Sequence, residues 1–121
     1  MIQNMDIMGV HYALSERLNA DITKKLGRLD RYIPRHARES ARLQVRLREA
    51  KHDGRLQPEC EVTLVLPRDT IILREFGATV YAALDVVEDK LKQQIKKYKD
   101  QLPSGERSQH IFARLARKIR P

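Results

Sequence analysis

Residues 40–76 read SARLQVRLREAKHDGRLQPECEVTLVLPRDTIILREF, and this stretch decides the fold. Leu43, Val45 and Leu47 alternate with Arg42, Gln44, Arg46 and Arg48. That period of two is what a half-buried strand requires. Asp53-Gly54 is a tight hairpin signal. Beyond it, Cys60, Val62, Leu64 and Leu66 alternate with Glu59, Glu61, Thr63 and Val65. Pro67 ends that strand, Arg68-Asp69 is expected to turn the chain, and residues 70–76 form a further strand with Ile71 and Leu73 inward. A hairpin closed at Asp53-Gly54 sets Arg42, Arg46 and Arg48 against Glu59 and Glu61. Cross-strand ion pairs contribute roughly 0.2–1 kcal/mol each, so these arginines are assigned to the sheet before any ligand.

On the N-terminal side the period changes. Leu14, Leu18, Ile22, Leu26, Leu29 and Ile33 recur at steps of three and four, which predicts one amphipathic helix over 15–33. Ser15 suits the N-cap, Glu16 the positive end of the helix dipole, and Pro34 the stop. Gly27 inside the run costs about 1 kcal/mol relative to alanine. Residues 2–8 form a short apolar-rich strand before Gly9. On the C-terminal side, Gly77 breaks the sheet pattern and Thr79 caps a second helix reaching about Lys99. Its buried stripe is Val80, Leu84, Val87, Leu91, Ile95 and Tyr98.

The element order is therefore β-α-β-β-β-α. A helix joins the first two strands, so they pair in parallel; hairpins join the others, so those pair antiparallel. The fold class is α+β: a two-layer sandwich with a four-stranded mixed sheet and two helices on one face. Double-stranded RNA-binding domains are similar at the level of fold alone. One domain is expected over 1–101. Residues 102–121 are expected to be a basic tail, flexible when free. There Arg107, Arg114, Arg117, Lys118 and Arg120 surround Ile111, Phe112, Leu115 and Ile119 in a pattern suited to folding against RNA or a partner.

The chain carries 24 Lys and Arg against 16 Asp and Glu, a net charge of +8. Such an excess points to nucleic acid, an anionic membrane or an acidic protein as partner. No apolar run approaches the roughly 20 residues of a membrane span, and residues 1–10 lack secretory-signal features. The single cysteine, Cys60, fits a reducing cytoplasm. What matters is whether the cations are focused. On the first helix Arg17, Lys24, Arg28 and Arg31 share a flank, with Lys25 at its border. On the second, Asp85, Glu88 and Asp89 occupy the first half, and Lys90, Lys92, Lys96, Lys97 and Lys99 the second. Complementing the helix dipole accounts for part of that polarity. It does not require five lysines in ten positions, nor a matching basic flank on the other helix. Rigidly held cations in one plane are what binding to a phosphate backbone requires.

Nothing in the sequence suggests catalysis. His11, His36, His52 and His110 are scattered, and with one cysteine no zinc spacing exists. The five glycines are isolated, so no phosphate loop occurs. Asp85 and Asp89 read as solvated helix charges, Cys60 as a core thiol, and Tyr32, Tyr81 and Tyr98 as core-edge residues. No catalytic residue, metal, cofactor, small-molecule substrate or membrane partner is expected.

Two stretches carry a resemblance. Thr79-Val80-Tyr81-Ala82-Ala83-Leu84-Asp85, then Asp89-Lys90-Leu91 and Gln94-Ile95-Lys96-Lys97-Tyr98-Lys99, resemble the second helix of the ribosome hibernation promoting factor family. That family includes ribosome-associated inhibitor A and was once labelled sigma-factor modulation protein. Lys25-Leu26-Gly27-Arg28-Leu29-Asp30-Arg31-Tyr32 looks like its partner motif. The resemblance runs from about residue 2 to residue 101 and is to the short, single-domain forms. It implies a non-enzymatic cytoplasmic factor that binds the small ribosomal subunit near the decoding region and occludes messenger and transfer RNA sites. The implied RNA-binding residues are Lys24, Lys25, Arg28, Arg31, Lys90, Lys96, Lys97 and Lys99. Partners would be the small subunit with its ribosomal RNA and the intact ribosome. The residues read alone also fit a general structured-RNA binder without ribosome preference. A module acting on a transcription factor fits less well, since it leaves the helix-flank charges unexplained.

Overall fold

Alternation in sequence becomes strand pairing in space. The computed structural model of the chain describes residues 1–102; the expected basic tail, apart from Leu102, lies outside them. Strands β1 (Asn4–Gly9), β2 (Arg42–His52), β3 (Arg55–Leu66) and β4 (Asp69–Phe76) form one sheet in the order β1-β2-β3-β4. β1 and β2 pair in parallel, and the other two pairings are antiparallel. The hairpin turn takes φ 52° at Asp53 and 78° at Gly54. Both central residues of this tight turn need positive φ, which is why Asp-Gly sits there. The β3–β4 turn is Pro67-Arg68 rather than Arg68-Asp69. Asp69 already pairs with Leu66, and Arg68 takes the positive φ, 71°.

The register sets Arg46 opposite Glu61 and Arg48 opposite Glu59, but it sets Arg42 opposite Val65, six residues beyond Glu59, so Arg42 is not part of the expected cross-strand charge set. Arg48 Nε lies 2.5 Å from Glu59 and Arg46 lies 3.8 Å from Glu61. β4 adds Arg74, 2.9 Å from Glu61 and 3.6 Å from Glu59. Glu59 is only 2% exposed, on the sheet face away from the helices. A buried carboxylate persists only when paired, and two guanidinium groups supply that pairing. The hydrogen bond from Arg74 is the main reason the Glu61 carboxyl sits below its ordinary pKa.

Helix α1 spans Glu16–Gly27 and helix α3 spans Val80–Asp100. Both begin as expected. Ser15 Oγ accepts from the Leu18 N–H at 3.0 Å, and Thr79 Oγ1 accepts from the Ala82 N–H at 3.1 Å. Gly77, just upstream, is fixed by packing. A Cβ there would lie 2.5 Å from the Ala83 nitrogen, inside the first turn of α3.

The run expected as a single helix over 15–33 is divided. After Gly27, residues Arg28–Tyr32 tighten into a 3₁₀ segment, and a short helix α2 follows at Arg35–Arg38. The cause lies at Gly27. Its carbonyl, which would bond ahead in a continuing helix, accepts the Ile2 N–H at 2.9 Å. The Met1 thioether occupies the space a Cβ on Gly27 would need. The Met1 ammonium then pairs with Asp30 at 2.7 Å.

One core joins the layers. Leu18, Ile22, Leu26 and Leu29 meet Val80, Leu84, Val87, Leu91 and Ile95 over Leu43, Val45, Leu47, Val62 and Leu64. Tyr98 is buried among them and donates its hydroxyl to the Pro67 carbonyl at 2.8 Å. Cys60 is fully buried. Desolvation, reinforced by Glu59, pushes its thiol up to about 12, which marks an inert core residue.

Candidate nucleic-acid interface

α1 and α3 lie side by side and run in the same direction. Asp21 meets Tyr81, Lys25 meets Asp85, Arg28 meets Glu88 and Tyr32 meets Lys92. Each pair is 60 residues apart, and a constant separation is the mark of parallel alignment. The seam between the helices has two unlike halves.

In the first half, charge is matched. Tyr81 donates its hydroxyl to Asp21 at 3.1 Å. Lys25 Nζ lies 2.7 Å from Asp85 and 3.4 Å from Glu88, and Arg28 lies 3.6 Å from Glu88. The hydrogen bond to Asp85 raises the Lys25 pKa against the opposing effect of burial. Asp21 likewise holds the Tyr81 phenol above its ordinary value.

In the second half, charge of one sign accumulates. The Tyr32 ring has Lys92 Nζ at 4.9 Å from its centroid, the Arg31 guanidinium at 5.1 Å and Lys96 Nζ at 5.5 Å. Lys92 first, then Arg31, draws the Tyr32 phenol below its ordinary pKa. The 3₁₀ segment creates this grouping. With three residues per turn, Arg28 and Arg31 stand one above the other, as do Leu29 and Tyr32. These four, with Glu88, Asp89 and Lys92, line a cavity of about 190 Å³.

The eight residues expected to face RNA do not form one patch. Arg31 and Lys96 meet at Tyr32, and Arg28 lines the adjoining cavity. Lys99 follows Lys92 and Lys96 along the same side of α3 by helical spacing. Lys25 sits in the matched half. Lys24, one residue earlier, is exposed on α1. Lys90 faces the other way and pairs with Glu75 of β4 at 2.9 Å. Lys97, two turns on from Lys90, shares that far flank. Among the described residues, Lys24, Arg31, Lys96, Lys97 and Lys99 have no ion pair.

Two residues outside the expected set belong in the group. Lys92 continues the line Asp85, Glu88, Lys92, Lys96, so its spacing carries the signal. Tyr32 is half-buried, as a core-edge residue should be, but its ring also carries three cations. On the outer sheet Arg46, Arg48 and Arg74 stay with Glu59 and Glu61. No group of His, Cys, Asp and Glu suited to a metal occurs among the described residues. None of the helices there is long and apolar enough to cross a membrane.

Comparison with known proteins agrees with the fold. A ribosome hibernation promotion factor of Deinococcus radiodurans is 31% identical over 98 residues, covering 81% of this chain and 50% of the relative. A Lactococcus lactis protein of the same name is also half covered, so the chain spans about half the length of these relatives. A ribosome hibernation promoting factor of Pseudomonas putida is 29% identical over 100 residues, covering 83% of this chain and 90% of that one. Among solved structures, the N-terminal domain of Thermus thermophilus Protein Y superposes with a TM-score of 0.65 at 27% identity, covering 79% of this chain and 99% of that domain. A ribosomal subunit interface protein from Coxiella burnetii gives 0.68 at 23% identity, covering 82% and 100%, and supports the fold alone. The family model described as Sigma 54 modulation protein / S30EA ribosomal protein matches residues 5–103, so the chain belongs to that family.

Proposed function

We propose that this chain is a ribosome hibernation factor, a non-enzymatic protein that binds the small ribosomal subunit and silences translation. In this reading the second half of the helix seam lies against ribosomal RNA near the decoding region. The body of the domain then occupies space that messenger and transfer RNA need. Such a task is carried out in the cytoplasm, with the small subunit and the intact ribosome as partners and no cofactor. The domain over 1–101 does the binding, and the basic tail over 102–121 adds a contact along the messenger path or on an adjacent ribosomal protein.

The observation that carries this reading is the focusing of unpaired cations at one end of two parallel helices, in a chain of this family. Helix-borne cations can neutralise several phosphates at once and release their counterions. They read the shape and backbone of an RNA helix, whose deep major groove offers little to side chains. Arg31, Lys96 and Lys99 would form the centre of the contact. Lys24, Lys90 and Lys97 would flank it. Lys25 and Arg28 would contribute less, because carboxylates already compensate them.

The alternative, a structured-RNA binder with no ribosome preference, draws on the same cations. A competition assay separates the two. Ribosome-bound protein should resist modest excesses of free duplex RNA if the ribosome is the target. Release by such duplex in proportion to its phosphate content would favour the alternative. A Lys96→Glu/Lys97→Glu protein should keep its fold by circular dichroism and fail to pellet with ribosomes. If it still pellets like the parent chain, the proposed face is wrong.

A further inference from the structure

We infer that Tyr32 organises a specific oxyanion site at the second half of the seam, with Arg31, Lys92 and Lys96 as its cations and a phosphate of the RNA backbone as its ligand. This rests on the proposed function and deepens it. It assigns roles to two residues, Tyr32 and Lys92, that the expected RNA-binding set left out.

The geometry is that of an anion site. Three cations lie within 5.5 Å of one ring centroid. Asp30, the nearest acid in sequence, is taken by the Met1 ammonium. Glu88 is taken by Lys25 and Arg28. Asp89 lines the cavity with Glu88 on one wall and is the remaining acid there. The electron-rich ring face attracts the cations and narrows the positions their long side chains explore. Their mutual repulsion is then relieved by an oxyanion entering from solvent. An anion meets charges already gathered, so less ordering is left to do on binding. The lowered Tyr32 phenol pKa agrees with a positive potential at this place. Tyr32 is thus a positioning residue. It acts through the cations it holds, and its hydroxyl is engaged by two of them, Lys92 and Arg31.

The test uses the whole chain. Inorganic phosphate is titrated while the Tyr32 ring and lysine Nζ signals are followed by NMR. Saturating shifts are expected at Arg31, Tyr32, Lys92 and Lys96, with little change at Lys51 on the hairpin. Filling the site should also return the Tyr32 phenol toward its ordinary pKa. Equal, non-saturating shifts at all exposed lysines would overturn the site and mean an adventitious ion only. In parallel, binding to small subunits is measured for Tyr32→Phe, Tyr32→Leu, Lys92→Gln and Lys51→Gln. Tyr32→Leu and Lys92→Gln should each lose about five- to tenfold, on the scale of one or two cation–π contacts. Tyr32→Phe keeps the ring and should lose less than Tyr32→Leu. Lys51→Gln, one charge removed far from the site, should change little. Equal losses in Lys51→Gln and Lys92→Gln would reduce the site to bulk charge. Saturable phosphate binding with unchanged subunit binding in Tyr32→Leu would overturn the RNA backbone as its ligand. Failure of the chain to bind subunits while the phosphate site saturates would reject the proposed function and leave the anion site standing.

Discussion

The two halves of the α1–α3 seam share a backbone arrangement and differ in what their charges face. In the first half the basic groups that face the seam have carboxylates. Lys25 is held by Asp85 and Glu88, Arg28 by Glu88, and the Tyr81 hydroxyl by Asp21. In the second half the same alignment brings Arg31, Lys92 and Lys96 onto one tyrosine, and none of the three has an ion pair among the described residues. The first half resembles the outer sheet face, where Arg46, Arg48 and Arg74 are likewise matched with Glu59 and Glu61. Net charge therefore says little about where a polyanion binds. The distinction between paired and unpaired cations says more.

Charge reversal breaks the comparison most strongly. Lys96→Glu should weaken subunit binding by about one to two orders of magnitude. It should also flatten the slope of log K against log salt by roughly 0.9 for each phosphate that is no longer neutralised. Lys97→Glu, on the flank of α3 away from α1, should cost less. Equilibrium binding across a salt series measures both.

In the matched half, Lys25→Gln should reduce binding only a few-fold. Its clearer effect should be on stability, a decrease of about 0.5 kcal/mol, because Asp85 is exposed and solvent screens the pair. Urea unfolding followed by circular dichroism reads that decrease.

Converting Glu88→Gln should blur the distinction in the other direction. It frees Lys25 and Arg28 for an anion, and subunit binding should rise by roughly threefold, on the scale of one partly screened charge.

The smallest effect is spectroscopic. Tyr32 should ionise at lower pH than Tyr81 on titration of the tyrosinate absorbance, with Tyr→Phe variants assigning the steps. The stability signs are opposite. The folded Tyr81 pKa is raised above the unfolded value near 10, so its contribution is full below that pH and is lost as pH climbs through the folded pKa. The folded Tyr32 pKa is lowered, so its contribution is present above the unfolded value and is lost as pH falls through the folded pKa.

Much of this molecule is legible in its sequence, for physical reasons. Strands with one solvated face must alternate, and the Asp53-Gly54 turn then fixes Arg46 on Glu61 and Arg48 on Glu59. Ser15 and Thr79 cap helices because their side chains satisfy N–H groups two or three residues on. The seam is less legible. Whether Lys25 meets Asp85 depends on how two distant helices slide past each other, and no local period encodes that offset. The 3₁₀ turn at Arg28–Tyr32 depends on a bond from Ile2 to Gly27, which joins chain segments far apart in sequence. Without that turn, Tyr32 reads as core edge and its neighbouring cations as a diffuse flank. The four-residue helix Arg35–Arg38 is too short to leave a periodic trace.

The most direct measurement is thiol-directed crosslinking to bound small subunits from one position beside each half. Ala78→Cys lies just before α3, and Gln93→Cys lies roughly 20 Å further along it at about 1.5 Å per residue. Both positions are exposed, and the buried Cys60 thiol, pushed up to about 12, does not compete. The account predicts ribosomal RNA crosslinks from Gln93→Cys and few or none from Ala78→Cys. RNA crosslinks of equal yield from both, or crosslinks from Ala78→Cys alone, would contradict it.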